Sequence, residues 1–343
     1  MLEYVRLNIR LRAVTEVVLP VHAGSTLRGM FKTSLRRVCC PLRGEKCRGC
    51  MLRDRCVYAM VSENFTETGE NTVLPYTLAC SGAGGRYAPG DSLSFTLTVF
   101  GKAIDFLPYI IYSLSEWERL DISRFQSFRT QGNGGGDSPD PCQADGPPKG
   151  RVALAAVEQV SDLETRTLYT PGQPFRTPAP GLIAPLPAPP TGDGVFRVRL
   201  DFMSPARIFR KIQTPGGARK KTLVTPELFD FNHFFKAIQT RWFGLTTHFG
   251  TAPPADGPPP GPRGAAEAAV PLIRADQNHL RLAAVRRCDA RKPRWYFYDG
   301  FMGSVEFEAV PSGLIPWIAA GEVLQVGKFP TMGFGEYRAI IND

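Results

Sequence analysis

Residues 195–202 read Val-Phe-Arg-Val-Arg-Leu-Asp-Phe and run into Met203-Ser204-Pro205. Apolar and polar side chains alternate, the period of a strand with one buried face. Residues 3–14 alternate in the same way near the start of the chain. A helical stretch follows each strand. Ser25–Val38 places Leu27, Met30, Phe31, Ser34, Leu35 and Val38 at spacings of three and four, while Arg28, Lys32, Arg36 and Arg37 fall mostly on the other side. Ser25 or Thr26 is the expected cap. Residues 227–245 form a second helical stretch, rich in Phe.

Working outward, residues 93–100 and 152–160 read as strands, and residues 106–120 as a helix broken near Pro108. Asp299-Gly300 resembles the turn of a hairpin joining residues 294–301 to 304–307. Residues 314–320 form a short helix, and residues 323–327 and 337–341 are strands flanking a glycine-rich loop. Strands mix with helices without strict alternation, so the expected class is α+β rather than a doubly wound sheet.

The 34 Gly and 31 Pro cluster in residues 131–150, 171–194 and 252–264. They mark loops rather than a fibre. The expected organisation is a first domain over residues 1–170, a linker over 171–194 and a second domain over 195–343. No apolar run approaches the ~18 residues of a membrane helix. The start lacks the pattern of a secretion signal, so a cytoplasmic chain is expected.

The 41 Lys and Arg against 32 Asp and Glu give a net charge of +9. That balance favours a polyanionic partner, because each neutralised phosphate releases counterions. A basic chain without such a partner stays open on charge alone. The basic residues concentrate in two places. Arg207, Arg210 and Lys211 face Arg219, Lys220 and Lys221 across a Pro-Gly-Gly turn, a basic hairpin suited to tracking phosphates. Arg286-Arg287 and Arg291 to Tyr296 place aromatics beside arginines, which suits stacking on unpaired bases. A solvated charged face is the competing reading of both.

Five of the eight cysteines lie between Cys39 and Cys56. Without a secretion signal this reads as a metal site rather than a disulfide framework. Cys40, Cys47, Cys50 and Cys56 offer four soft ligands to a structural zinc ion, with Cys39 competing for the first place. An iron–sulfur cluster and the absence of any metal are the alternatives. In Gly327–Tyr337, Gly333 and Gly335 allow close approach of the backbone and present amides, and Lys328 adds charge. The loop lacks the Gly-Lys-Ser/Thr ending of a nucleotide P-loop. Of the four histidines, His22 precedes the basic helix, His233 and His248 lie in the Phe-rich helix, and His279 is in a polar loop. Gly-x-Ser-x-Gly and His-Glu-x-x-His are absent, which disfavours the hydrolases built on them.

Four segments in this order resemble a known family. They are Leu19-Pro20 with Gly24–Phe31 and Leu35-Arg36-Arg37, the four cysteines ending in Cys56-Val57-Tyr58, Phe202–Arg207, and Gly327-Lys328 with Gly333-Phe334-Gly335. The family is the CRISPR-associated endoribonucleases that process precursor CRISPR RNA, within the RAMP superfamily. Its register selects Cys40 over Cys39. The resemblance implies two tandem ferredoxin-like domains, with the cysteine insertion at residues 39–58 and the glycine-rich loop at 327–335. It further implies binding of CRISPR repeat RNA along the cleft and the glycine-rich loop. Cleavage would need no catalytic metal: the ribose 2′-OH attacks the adjacent phosphate and leaves a 2′,3′-cyclic phosphate and a 5′-OH. On this resemblance His22 is the base or acid, and Arg28 and Lys32 stabilise charge. The rival is a non-catalytic RAMP subunit that holds guide RNA among other subunits of a CRISPR effector complex.

Overall fold

The computed structural model describes residues 1–42, 44–63, 73–125, 128–130, 149–161, 164–183, 194–213, 217, 219–250, 273–289 and 294–342. The first half runs β1 (Leu2–Ala13), β2 (Val17–Leu19), α1 (Gly24–Cys39), β3 (Tyr76–Ala79), β4 (Gly85–Tyr87), β5 (Ser92–Phe100), α2 (Leu107–Ser115), β6 (Phe128–Thr130), β7 (Val152–Val160), β8 (Thr165–Tyr169) and β9 (Gly181–Ile183). The second half runs β10 (Val195–Ala206), β11 (Phe209–Gln213), β12 (Arg219–Leu223), α3 (Phe231–Phe249), β13 (Gln277–Asn278), β14 (Arg281–Ala283), β15 (Val285–Asp289), β16 (Arg294–Phe297), β17 (Gly300–Pro311), α4 (Ile315–Leu324) and β18 (Tyr337–Asn342).

The alternation in β1 does what a period of two dictates. Val5, Leu7, Ile9 and Leu11 are buried, and the strand is central in a sheet ordered β3-β5-β1-β7-β8. Its neighbours β5 and β7 are both antiparallel to it. The apolar stripe of α1, made by Leu27, Met30, Phe31 and Leu35, packs with Ile110 and Leu114 of α2 into the same core. Ser34 lies on that buried stripe, and its hydroxyl accepts a hydrogen bond from Trp117 Nε1 at 3.0 Å. A buried polar group is thus paired rather than left at a cost.

The second half repeats the arrangement with strand order β13-β17-β10-β18. β10 is antiparallel to both β17 and β18. The Phe-rich face of α3 buries Phe231, Phe234, Phe235, Ile238 and Leu245. Phe202 of β10 meets the rings of Phe301 at 5.1 Å and Phe229 at 5.8 Å, both edge-on. Each such ring buried contributes about 1.5–3 kcal/mol.

The halves are joined rather than tethered. β6 of the first pairs with β15 of the second in a sheet ordered β16-β15-β6. Leu2, Phe100 and Ile183 lie in the second core. Gln325 Nε2 donates to the carbonyl of Leu78 at 2.8 Å, and Ser81 Oγ donates to Glu336 Oε1 at 2.7 Å.

Several local expectations need correction. Residues 304–307 do not form a hairpin with 294–301. β16 pairs with β15, and β17 pairs with β10, so Asp299-Gly300 is a crossing point between sheets. Residues 323–327 are not a strand, because α4 continues to Leu324. Pro108 sits in the first turn of α2, where its missing N–H costs nothing, and so does not break the helix. Neither Ser25 nor Thr26 caps α1, which begins at Gly24 after Ala23 with no side-chain cap. The stretch expected as a linker contains β9, which pairs with β1 at Leu2, Glu3 and Tyr4. The other two Pro- and Gly-rich stretches lie largely outside the described residues.

Candidate active site and RNA interface

The glycine-rich loop is stapled into the molecule from both sides. Val326 N donates to Gly335 O at 3.0 Å, Gly335 N to Pro205 O at 3.0 Å, and Lys328 N to Arg207 O at 2.9 Å. Gly333 N donates to Pro330 O at 3.1 Å. The amides of Gly333 and Gly335 are therefore spent inside the protein rather than presented to a ligand. Their missing side chains serve chain packing. Both have φ near +75 to +79°, and a Cβ would strike Cys80 Sγ at Gly333 and the Val326 carbonyl at Gly335. Gln325 and Phe329 adopt φ of 56° and 67°, sparsely populated for residues with a side chain. Such strain persists where the surroundings over-determine it. Here Phe329 packs on Tyr298 with centroids 5.0 Å apart, and Gln325 is held by Leu78.

The loop bears on the start of α1. A Cβ at Gly24 would collide with the carbonyl of Met332, so the helix begins where only glycine fits. Arg28, one turn on, hydrogen-bonds the buried hydroxyl of Tyr76, which also bonds Thr331 of the loop. Among the described residues Arg28 Nε has no hydrogen-bond partner. Lys32, a further turn along, pairs with Glu63 at 2.5 Å, and Glu63 accepts from Tyr58 at 3.1 Å. Arg28 and Lys32 are thus brought together with Tyr76, Glu63 and Thr331. His22 stands just before α1 in a bend, half-buried, and burial pushes its pKa down to about 4. It is neutral at pH 7 and has a ring nitrogen free to accept a proton.

The basic hairpin forms as the sequence indicates. β11 pairs with β12, setting Lys211 opposite Lys221 and Ile212 opposite Lys220. Like charges directly opposite repel. Lys211, Lys220 and Lys221 are exposed, and among the described residues no carboxylate forms an ion pair with them. The side chain of Arg219 lies outside the described residues. Arg207 is different. Its guanidinium donates to Asp299 O at 2.9 Å and lies over the rings of Phe209, Tyr298 and Phe329 at 5.2 to 5.9 Å. Burial lowers its pKa, and it works as a post tying hairpin to loop. Arg210 lies close enough to His233 to disfavour its protonation, and Lys328 is half-buried with a pKa lowered by burial, Lys221 and Arg241.

The remaining histidines are elsewhere. His233 Nδ1 lies 2.8 Å from Asp230, which caps α3 through the His233 amide. His248 is in the last turn of α3, and His279 donates its amide to Ser304 O at 2.9 Å. Cys39, Cys40, Cys47, Cys50, Cys56 and Cys80 are free thiols. Cys39, Cys47 and Cys56 pack at the edge of the first core, and Cys47 senses Cys40 and Cys56. Among the described residues no three His, Cys, Asp or Glu side chains are grouped to hold a metal. Tyr76 and Glu63 were not legible as site residues in the sequence.

Residues 2–180, more than half of the chain, match the N-terminal domain model AF_1859_N. Residues 200–337 match the model of the CRISPR-associated endoribonuclease Cas6. This second match marks the chain as an endoribonuclease of CRISPR RNA processing. No curated protein matches it. Among solved structures, the Cas6-RT-Cas1–Cas2 complex and its partial form are each 12% identical over the whole chain, at a TM-score of 0.52. This chain spans 29% and 46% of those longer chains. At that identity the likeness speaks for the fold. A Cas6 product complex is 14% identical at a TM-score of 0.49, covering 98% of this chain and 100% of the other. No helix among the described residues is long and apolar enough to cross a membrane.

Proposed function

We propose that this chain binds CRISPR repeat RNA across the basic hairpin and the glycine-rich loop, and cleaves precursor CRISPR RNA without a catalytic metal. The observation that carries the reading is the junction: the loop of the second half is seated on Gly24 of α1, and its base is bonded to Arg207 at the root of the hairpin. A strand tracking the exposed lysines reaches the start of α1 over that loop. His22 takes the proton of the ribose 2′-OH as the O2′–P bond forms. The P–O5′ bond breaks, the 5′ oxygen takes up a proton from water, and a 2′,3′-cyclic phosphate remains. Arg28 faces the phosphorane charge, its Nε having no partner among the described residues. Lys32, held by Glu63, positions the helix. A pKa near 4 makes His22 a weak base in the free protein, and an approaching phosphate raises it.

The two halves are read as tandem ferredoxin-like domains, over residues 1–170 and 195–343. The strand orders β3-β5-β1-β7 and β13-β17-β10-β18, each with two helices, support this. Structural zinc at Cys40, Cys47, Cys50 and Cys56 stands as a separate proposal on ligand count and spacing. Elemental analysis giving about one zinc per chain supports it, and well under one without iron overturns it. Other CRISPR subunits are the proposed protein partners, as in the Cas6-RT-Cas1–Cas2 complex.

The test is incubation of the purified chain with repeat RNA. Cleavage that His22→Ala slows while binding persists supports the reading. Tight binding without cleavage by the wild type favours a guide-RNA-holding subunit instead.

A further inference from the structure

Arg28, Lys32 and Arg36 recur every fourth residue and so form one stripe along α1. Like charges at that spacing repel, and each of these is taken up by a different contact. Arg28 bonds Tyr76 beside the glycine-rich loop. The other two are held by the cysteine insertion that follows the helix. Arg36 Nη2 donates to the carbonyl of Glu45 at 2.8 Å, and its guanidinium lies over the ring of Tyr58 at 5.8 Å. Tyr58 is buried, and its hydroxyl donates to Glu63 Oε1 at 3.1 Å. The same oxygen meets Lys32 Nζ at 2.5 Å. Glu63 closes a π-helical turn, Ala59–Glu63, by which the chain returns from the insertion to α1. Turns of this kind are rare and recur at functional sites.

We propose that Tyr58 and Glu63 are positioning residues for RNA cleavage: they tie the cysteine insertion to Lys32 and thereby hold α1 in place against the glycine-rich loop. The role rests on the function proposed above, in which His22 and Arg28 at the start of α1 act on the RNA. A helix fixed at one end alone is free to roll and slide. Here the loop presses on Gly24, and the insertion grips the same helix at Lys32 and again at Arg36. The Lys32–Glu63 pair is partly buried, so solvent screens it less than a surface pair. A carboxylate oxygen that accepts from a phenol and an ammonium together is held in one orientation. Lys32 spends its charge on Glu63, so the contact matters to the site and the sign of each partner does not. A displacement of about 1 Å in a reacting group costs up to about a hundredfold in rate. The insertion is therefore part of the cleavage apparatus rather than an appendage beside it.

The experiment uses the full chain in single-turnover cleavage of repeat RNA, with affinity measured separately. Glu63→Gln is expected to slow cleavage about tenfold, with affinity within about twofold of wild type. Tyr58→Phe keeps the ring under Arg36 and loses only the hydroxyl, and should slow cleavage about threefold. Lys32→Met should match Glu63→Gln, and the double variant should be no slower than either, as two residues acting through one contact require. Exchange of the pair, Lys32→Glu with Glu63→Lys, separates contact from charge. It restores the ion pair, and the Tyr58 hydroxyl can accept from an ammonium as well as donate to a carboxylate. Recovery to within about threefold of wild type is the expected result. Asp54→Asn breaks an exposed ion pair with Arg53 in the same insertion and should leave the rate unchanged. Where Glu63→Gln or the exchanged pair fails to fold, Tyr58→Phe decides. Wild-type cleavage by the folded variants overturns the positioning role and leaves the proposed function standing. An exchanged pair that folds and stays as slow as Lys32→Met also overturns it, because the ammonium of Lys32 would then act on the RNA itself. Wild type that binds repeat RNA without cleaving it overturns the proposed function and this role together.

Discussion

Arg28 and Lys32 on α1 carry the same charge as Lys220 and Lys221 on β12, in opposite circumstances. The first two are engaged inside the protein, Arg28 with Tyr76 and Lys32 with Glu63. The second two stand on an exposed ribbon with no carboxylate in ion-pair contact among the described residues. Engaged cations shape a cleft and hold its walls in place. Unspent cations wait for an anion, and their mutual repulsion is relieved when one arrives. One chain thus engages part of its positive charge inside the fold and leaves part of it exposed.

Reversing the unspent charges should have the largest effect. Lys220→Glu with Lys221→Glu is expected to weaken RNA binding about a thousandfold at low salt, since two phosphate contacts become repulsions. Filter binding checks it, and the wild-type log–log salt slope should be about −4 if six single-strand phosphates are neutralised. Loss of affinity as large in Lys32→Met would erase the contrast between the two groups.

Next comes His22→Ala, expected to slow cleavage about a hundredfold with little change in binding. Single-turnover kinetics separates the two quantities. Unchanged cleavage would place the proton transfer elsewhere.

The burial of His22 gives a stability prediction of its own. Its folded pKa of about 4 lies below the unfolded value, so the unfolded chain binds the proton more readily. The penalty is absent well above pH 6.5 and grows as pH falls from there toward 4. Between pH 7 and 5 it should cost about 2 kcal/mol, and His22→Phe should lack that loss. Urea unfolding at the two pH values sharpens how buried the first half keeps its histidine.

The smallest effect concerns the engaged cations. Tyr76→Phe removes the hydroxyl shared by Arg28 and Thr331. Stability should drop by about 1–2 kcal/mol because buried partners are left unsatisfied. A change confined to RNA affinity, with stability untouched, would mean that Arg28 is not held as described.

Much of the fold was legible in local sequence. β1, α1, β5, β7, β10 and β18 follow from the local sequence pattern, and the basic hairpin from charge on either side of a Pro-Gly-Gly turn. Failures arose where a distant segment decided the outcome. Asp299-Gly300 looks like a hairpin turn, but β17 takes β10 as its partner and β16 takes β15. Val323 and Val326 suggest a strand, yet α4 persists to Leu324, whose carbonyl Arg241 satisfies. The start of α1 is set by Met332 pressing on Gly24, which no capping rule foresees. At the site, Arg28, Lys32, Lys221 and Lys328 were legible from charge and position. Tyr76 and Glu63 were not, because each is a lone residue joined to α1 only by folding. Arg241 did leave a signal: it is a cation at helical spacing from Phe234, Ile238 and Leu245 on a buried face.

The central claim is that the ribose 2′-OH is the nucleophile and that the chain's own residues suffice. End-group analysis of labelled repeat RNA cut by the purified chain tests it most directly. The account predicts a 2′,3′-cyclic phosphate on the upstream fragment and a 5′-OH on the downstream one. Fragments ending in a 3′-OH and a 5′-phosphate would contradict it, because water rather than the 2′-OH would then have attacked the phosphate.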